Sequence, residues 1–315
     1  MSFRNLWAVG LVGVLLQLMS NVESGAGAIP AKGILYDQIV EKGLNHTRFR
    51  TRPVSTNAPG TEVFTNHTVV RINPGERYID PVTGVLTDSE ERIDEYATGA
   101  VYQRGPVRVI FALDIASENS LDILTPDGKR LRGGPVGLSI MNPVDGTSTL
   151  IAEVKSSKGK LDKADPRKIV FRDFLDGVLA DCDYLVGPKG LSQTIVLRER
   201  IDPGDWGLPL ESRLEVISSF EASHQPVIST RVLKESAGKQ ANMASPSLTD
   251  SFLNFGSLVM PQGAAFAVAD GNVDAPNPIK FESIPVAKHW EASVAGAGAG
   301  RSVLFESMKC RRWSA

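Results

Sequence analysis

Three observations predict an all-β chain with little helix, arranged as an antiparallel β-sandwich that in its larger form would be a supersandwich. Apolar and polar residues alternate with a period of two in many short runs. Gly, Pro, Asn and Asp clusters punctuate those runs at intervals of about 8–12 residues, the spacing of sandwiches and barrels. No amphipathic helical pattern of three or more turns stands out, and Ser89 to Tyr96 is at most one short helical piece.

The first 28 residues read as a secretory signal peptide. Arg4 forms a small positive n-region, Leu6 to Met19 is apolar and uncharged, and Ala26 and Ala28 give an A-x-A cleavage pattern before Ile29. A bilayer core needs a helix of about 20 residues, and this run is shorter. Export follows, to a secreted or cell-surface location, with no membrane contact after leader removal. A retained, uncleaved anchor is the alternative. Neither cysteine follows the leader, which excludes an N-terminal lipid-modified cysteine.

Residues 29–60 mix Gly, Pro, Asn and Thr around the apolar run Ile34 to Val40 and read as an extended N-terminal segment. The main sandwich is expected over 61–234. Its clearest strand is Val107 to Ile115, with Val107, Val109, Phe111, Leu113 and Ile115 on one face. Leu121 to Leu124 runs into Thr125-Pro-Asp-Gly128, and Lys129 to Arg132 return. Gly137 to Met141, Asn142-Pro-Val-Asp-Gly146 and Ser148 to Lys155 repeat the cycle. Asp-Gly supplies the positive φ that tight reversals need. Ile169 to Phe174, Val178 to Val186, Leu191 to Arg200, Arg213 to Phe220 and Val227 to Leu233 complete the set, with Gly187-Pro-Lys-Gly190 as a further turn. Residues 235–250 read as a loop. Residues 251–307 then supply returning strands or a small second β unit, before a basic tail at 308–315.

Composition narrows the partners. Lys and Arg total 34 against 36 Asp and Glu, interspersed, so no basic face for nucleic acid is built. Hydrophobic content of 42% with 22% charged residues marks a folded chain. Cys182 and Cys310 could pair in an exported protein, but sequence alone does not decide it.

Several segments resemble an uncharacterised N-terminal region of very large secreted or surface proteins of environmental bacteria. They are Leu124-Thr-Pro-Asp-Gly128, Leu150-Ile-Ala-Glu-Val-Lys155, Ile169-Val-Phe-Arg-Asp-Phe174, Ala180-Asp-Cys-Asp-Tyr184 and Gln193-Thr-Ile-Val-Leu-Arg-Glu199. Near the end come Asn254-Phe-Gly-Ser-Leu258, His289-Trp290 and Gly300-Arg-Ser-Val-Leu-Phe-Glu-Ser307. The resemblance implies a β-sandwich module at the front of a longer exported polypeptide and brings no catalytic residues. The chain departs from it after Ser307, where such proteins continue with another strand. The short tail Met308 to Ala315 is the expectation of a truncated or frame-disrupted product.

His46, His67, His224 and His289 have no helical zinc spacing, although His46 and His67 could meet across strands. Asn45-His-Thr47 and Asn66-His-Thr68 match the glycosylation sequon, which here reads as exposed polar positions. Gly190-Leu-Ser-Gln-Thr194 lacks the second glycine of a serine elbow and lies between strands. The glycines of 296–300 lead into a strand, where a phosphate cradle needs a helix. Asp270-Gly-Asn-Val-Asp274 is a possible calcium turn that lacks EF-hand spacing. Trp206 is expected to anchor its loop in the core, the alternative being an exposed indole that stacks on a sugar ring.

Asp181 and Asp183 share a strand face at i, i+2, read as a polar, solvent-facing strand edge. No catalytic, cofactor or metal residues are assigned, and no cofactor is implied. The leading expectation is an exported module with a structural or binding role, its candidate partners surface polysaccharide or other surface proteins. The alternative is a carbohydrate-active enzyme drawing carboxylates from Asp181, Asp183, Glu153 or Glu199, a chemistry that needs two carboxyls facing each other across a cleft.

Overall fold

The computed structural model describes residues 8–18, 35–52, 54–56, 62–64, 67–72, 75–188, 190–221, 225–233, 248–268, 284–292 and 300–310. The described chain is all-β and antiparallel. Its helical content is one 3₁₀ turn, Pro203–Trp206, capped by the Asp202 carboxylate on the Gly204 N–H.

Strand β1 spans Ala8–Leu18. It is followed by β2 (Leu35–Lys42), β3 (His46–Arg52), β4 (Val54–Thr56), β5 (Glu62–Phe64) and β6 (His67–Ile72). Strands β2, β3 and β6 form a three-stranded sheet, and β4 with β5 a ribbon. The extended segment expected at 29–60 is therefore hairpin structure where it is described. Another ribbon, β7 (Arg77–Ile79) with β8 (Leu86–Asp88), is tied to the three-stranded sheet by one side chain. Arg77, buried, donates to the Gly43 carbonyl at 2.7 Å, the Thr47 hydroxyl at 2.9 Å and Asp88 at 3.0 Å.

Two larger layers make the sandwich. The first holds β9 (Asp94–Tyr96), β10 (Gly99–Tyr102), β11 (Arg108–Ala112), β12 (Leu121–Leu124), β13 (Arg130–Met141) and β14 (Ser148–Glu153). The second begins with β15 (Lys160–Leu161), β16 (Lys168–Phe171), β17 (Ala180–Gly187) and β18 (Gly190–Leu197). The chain then returns to the first layer as β19 (Arg213–Glu221), beside β13. Next come β20 (Val227–Leu233), β21 (Leu248–Asn254), β22 (Leu258–Met260) and β23 (Gly263–Val268), all in the second layer. Strands β24 (Ile284–Glu291) and β25 (Arg301–Lys309) close the set.

Strand β24 joins the layers. Ile284 to Val286 pair with β23, whereas Ala287 to Glu291 pair with β25, which itself pairs with β19. Between the layers, Phe111 of β11 lies 5.4 Å from Tyr184 of β17, and Phe171 meets the same tyrosine edge-on at 6.1 Å. Such aromatic pairs add about 0.5–1.5 kcal/mol beyond their burial.

Strand β1 fills a gap in the second layer. It runs antiparallel to β18 from Val9↔Leu197 to Gln17↔Gly190. On its other edge it pairs with β23 over Ala8 to Val12 and with β22 at Gln17 and Leu18. The apolar run read as the hydrophobic part of a leader is thus a strand with partners on both sides. Ala26 and Ala28 lie outside the described residues.

Several elements differ from their expected form. The runs expected as separate strands at Lys129–Arg132 and Gly137–Met141 are one strand, β13. Gly133, Gly134, Pro135 and Gly137 hide its alternation. A register shift against β19 between Pro135 and Gly137 accommodates the proline, as a bulge does. Leu113 is 37% exposed, because β11 ends at Ala112 and the chain turns toward a bridge between Asp114 and Lys158. Residues 89–96 form no helix. Their amides bond to distant partners, Ser89 to the Glu76 carbonyl and Ile93 to that of Pro166, and Asp94–Tyr96 is β9. The loop expected at 235–250 lies outside the described residues up to 247, and β21 already begins at Leu248.

The Asp-Gly reversals fold as expected. Gly128 and Gly146 adopt φ of 79° and 74° between β12 and β13 and between β13 and β14. The first turn also anchors a neighbour. Asp127 accepts hydrogen bonds from Thr125 and Ser257 at 2.5 Å each, and Lys129 Nζ donates to the Phe255 carbonyl at 3.0 Å.

Candidate functional site

The carboxylates singled out from the sequence are engaged in separate places. Asp181 is fully buried, not on a solvent-facing edge. Its Oδ2 meets Arg172 at 2.6 Å and Arg198 at 3.3 Å, and its Oδ1 accepts the Asp173 N–H at 2.8 Å. Asp183 is also buried and pairs with Lys168 Nζ at 2.7 Å. Burial raises the Asp183 carboxyl above the usual range, against the opposing pull of Lys168. A buried carboxylate without such partners would cost several kcal/mol, which is why the arginines fold over this face. Glu199 accepts the Leu179 N–H at 2.6 Å, and Glu153 is exposed on β14.

The other expectations resolve similarly. His46 pairs in register with Ile72 and His67 with Thr51, at opposite ends of β3 and β6, so the two histidines do not meet. Thr47 of the first sequon is buried rather than exposed, because its hydroxyl serves Arg77. Ser192 sits inside β18. Trp206 is 37% exposed, and Pro203 is the residue that buries its turn. Trp290 is the core tryptophan, stacked on Phe220 at 5.8 Å and edge-on to Phe255 at 5.6 Å. Cys182 and Cys310 are both free thiols; burial holds Cys182 well above the ordinary thiol range and raises Cys310 to about 11. His224, residues 270–274 and the glycines before Gly300 lie outside the described residues.

A concave pocket of about 400 Å³ lies where β13, β14, β19, β24 and β25 come together, beside the start of β21. In β19 the core face carries Leu214, Val216 and Phe220, so Arg213 and Glu215 project to the other face. The register lines Ser139, Glu215, Ser307 and Ala287 in one row across four strands. That row makes Glu215 the acceptor of three hydroxyls: Ser139 at 3.0 Å, Ser148 at 2.8 Å and Ser307 at 2.9 Å. Along the rim, the His289 and Phe305 rings lie 6.4 Å apart, and His289 Nε2 stands 3.4 Å from Glu291. A carboxylate, a guanidinium, an imidazole and a flat ring converge there.

Behind the pocket, the same strands present charge to the interior. Lys288 of β24 donates from Nζ to Asp250 Oδ1 of β21 at 2.8 Å, with both side chains fully buried. Its backbone N–H reaches the same oxygen at 3.0 Å. Glu306 of β25 stands opposite Lys288 in register and is 1% exposed. Neither carboxyl oxygen of Glu306 has a hydrogen-bond partner among the described residues. Burial raises this carboxyl to about 7, with Asp250 adding to the rise and Lys288 opposing it.

Sequence reading missed both groups. Glu215, Lys288 and Glu306 each sit in an ordinary alternating strand, and only pairing across strands shows their company. The one available signal was Lys288 at a core position between Val286 and Trp290. Among the described residues no group of three His, Cys, Asp or Glu is arranged to hold a metal ion, and no helix is long and apolar enough to cross a membrane.

No protein-family model, no curated protein and no solved structure matches the chain.

Proposed function

We propose that the chain is an exported β-sandwich module with a structural or binding role at the cell surface or outside the cell, and that the pocket at Glu215 is its binding site. The arrangement of that pocket carries the reading. A few convergent polar groups beside an aromatic ring, set in a concavity on a rigid sheet, suit a hydroxyl-rich ligand such as surface polysaccharide. Phe305 offers a face for a sugar ring, while Arg213, His289 and Glu291 offer donors and acceptors. Export rests on the sequence at Leu6 to Met19, Ala26 and Ala28, and the resemblance to secreted surface proteins points the same way.

The enzyme alternative loses its original carboxylates, because Asp181, Asp183, Glu153 and Glu199 do not line the pocket. It keeps one foothold, since Glu215 and Glu291 both do. Glu215 is already occupied by three hydroxyls and nearly buried, which favours binding over turnover.

A glycan array probed with the purified chain and with Phe305→Ala tests the reading. We expect binding to a defined glycan class, weakened at least about tenfold in the variant at an unchanged melting temperature. Absence of binding, or equal binding by the variant, contradicts the site. Cleavage of the bound glycan would favour the enzyme.

A further inference from the structure

The interior charges behind the pocket are arranged for a reaction with one another. A primary amine and a carboxyl lie 2.8 Å apart, both shut off from water, and a second carboxyl stands across from the amine with no hydrogen-bond partner among the described residues. An ordinary buried ion pair surrounds itself with further hydrogen bonds, since its desolvation cost otherwise exceeds its attraction. Glu306 adds a third buried ionisable group that contributes nothing to such satisfaction. Its presence calls for a chemical explanation.

We propose that Lys288 and Asp250 condense into an intramolecular amide, a covalent brace between β24 and β21, with Glu306 relaying the proton. First, Lys288 passes a proton along its hydrogen bond to Asp250, giving an amine and a carboxylic acid. A neutral pair is cheaper to bury than two ions. The nitrogen lone pair then attacks Asp250 Cγ and forms the C–N bond. The nitrogen gives its surplus proton to Glu306, which returns one to the departing hydroxyl as the C–O bond breaks. One amine and one carboxylic acid become one amide and one water, and no oxidant, metal or co-reactant is consumed.

The surroundings supply what this step needs. The fold holds the reacting groups in contact, which replaces a bimolecular encounter with an intramolecular one. Trp290, two residues along β24 from Lys288, packs with Phe220 and Phe255 and excludes water. Arg231 Nε stands 3.4 Å from Asp250 Oδ2, where it polarises the carboxyl under attack. Burial raises the Glu306 carboxyl to about 7, where it exchanges between the carboxylate that takes the nitrogen's proton and the acid that donates to the leaving hydroxyl. Strands β21 and β24 share no backbone ladder in the described residues, so the amide would join elements that no strand pairing connects directly.

Peptide mapping of the full chain by mass spectrometry tests this directly. We expect a branched tryptic species one water lighter than the Asp250 and Lys288 peptides together, with no cleavage after Lys288. Lys288→Ala and Glu306→Gln chains should yield only linear peptides, the latter while keeping the strand signature in circular dichroism. A wild-type chain that melts cooperatively yet gives free Asp250 and Lys288 peptides overturns the proposal, whether or not the variants fold. A folded Glu306→Gln chain that cross-links as fully as wild type overturns the relay.

Discussion

Lys288 and Asp250 form a 2.8 Å contact in which neither side chain touches solvent, and it links β21 of the second layer to the stretch of β24 that pairs with β25. Removing either group alone leaves its partner charged and buried. Lys288→Ala or Asp250→Ala should therefore lower unfolding free energy by about 3–5 kcal/mol, and by more where the amide has formed. Replacing both together, as Lys288→Ala with Asp250→Ala, should cost less than the two single changes combined. A urea-unfolding double-mutant cycle measures the coupling.

Glu306 sets a pH dependence of definite sign. Its folded-state carboxyl titrates at about 7, against 4.5 as the ordinary value, so the folded chain binds this proton more tightly than the unfolded one. The associated stability is complete below the ordinary value and is lost as pH rises through about 7. Lys288, Asp250 and Arg231 are the charged groups that face this cluster in the linear chain, and the comparison is made between linear wild type and the linear variant, where they are the same. Between pH 4.5 and 8, wild type should lose about 3 kcal/mol relative to Glu306→Gln. Parallel pH-stability curves for the two chains would contradict the assignment.

Asp181 holds a strained turn. It accepts the N–H of Asp173, the only non-glycine described residue with positive φ, at 50°. Asp181→Ala removes that acceptor and leaves Arg172 and Arg198 without their buried counter-charge. A loss of about 2–4 kcal/mol is expected in denaturant unfolding, with glycan binding per folded molecule unchanged. A variant as stable as wild type, or one deficient only in activity, would return Asp181 to the list of reactive groups.

The thiols are independent. Cys182 is fully buried and should resist a thiol reagent in the native chain, while half-buried Cys310 should react slowly. Both should titrate on denaturation without reductant. Zero free thiols in the denatured, unreduced chain would mean a bridge that the fold does not show.

Much of the architecture was readable because β structure announces itself locally. Asp127-Gly128 and Asp145-Gly146 fix reversals through a conformation other residues avoid, and Val109 and Phe111 show which face is buried. Local reading failed where the determinant is a distant strand. Lys129–Arg132 and Gly137–Met141 read as separate runs, but a bulge against β19 carries one strand through Pro135 between them. Asp181 and Asp183 looked solvent-facing because alternation cannot reveal that Arg172, Arg198 and Lys168 fold over them. Glu215 became conspicuous only when three serines from three other strands converged on it.

Export and β1 meet in one comparison. A cut after Ala28 removes Ala8–Leu18 and leaves β18 and β23 each with an unpaired edge. Amides of Gly190 to Leu197 and Gly263 to Val268 that face β1 should exchange faster in a chain beginning at Ile29 than in the full chain.

The decisive measurement is the N-terminus and location of the chain recovered from a secreting bacterial host. The account predicts a protein outside the cytoplasm that begins at Ile29. Recovery from the cytoplasm with Met1 to Ala28 intact would contradict it and leave β1 as a permanent strand of an intracellular fold.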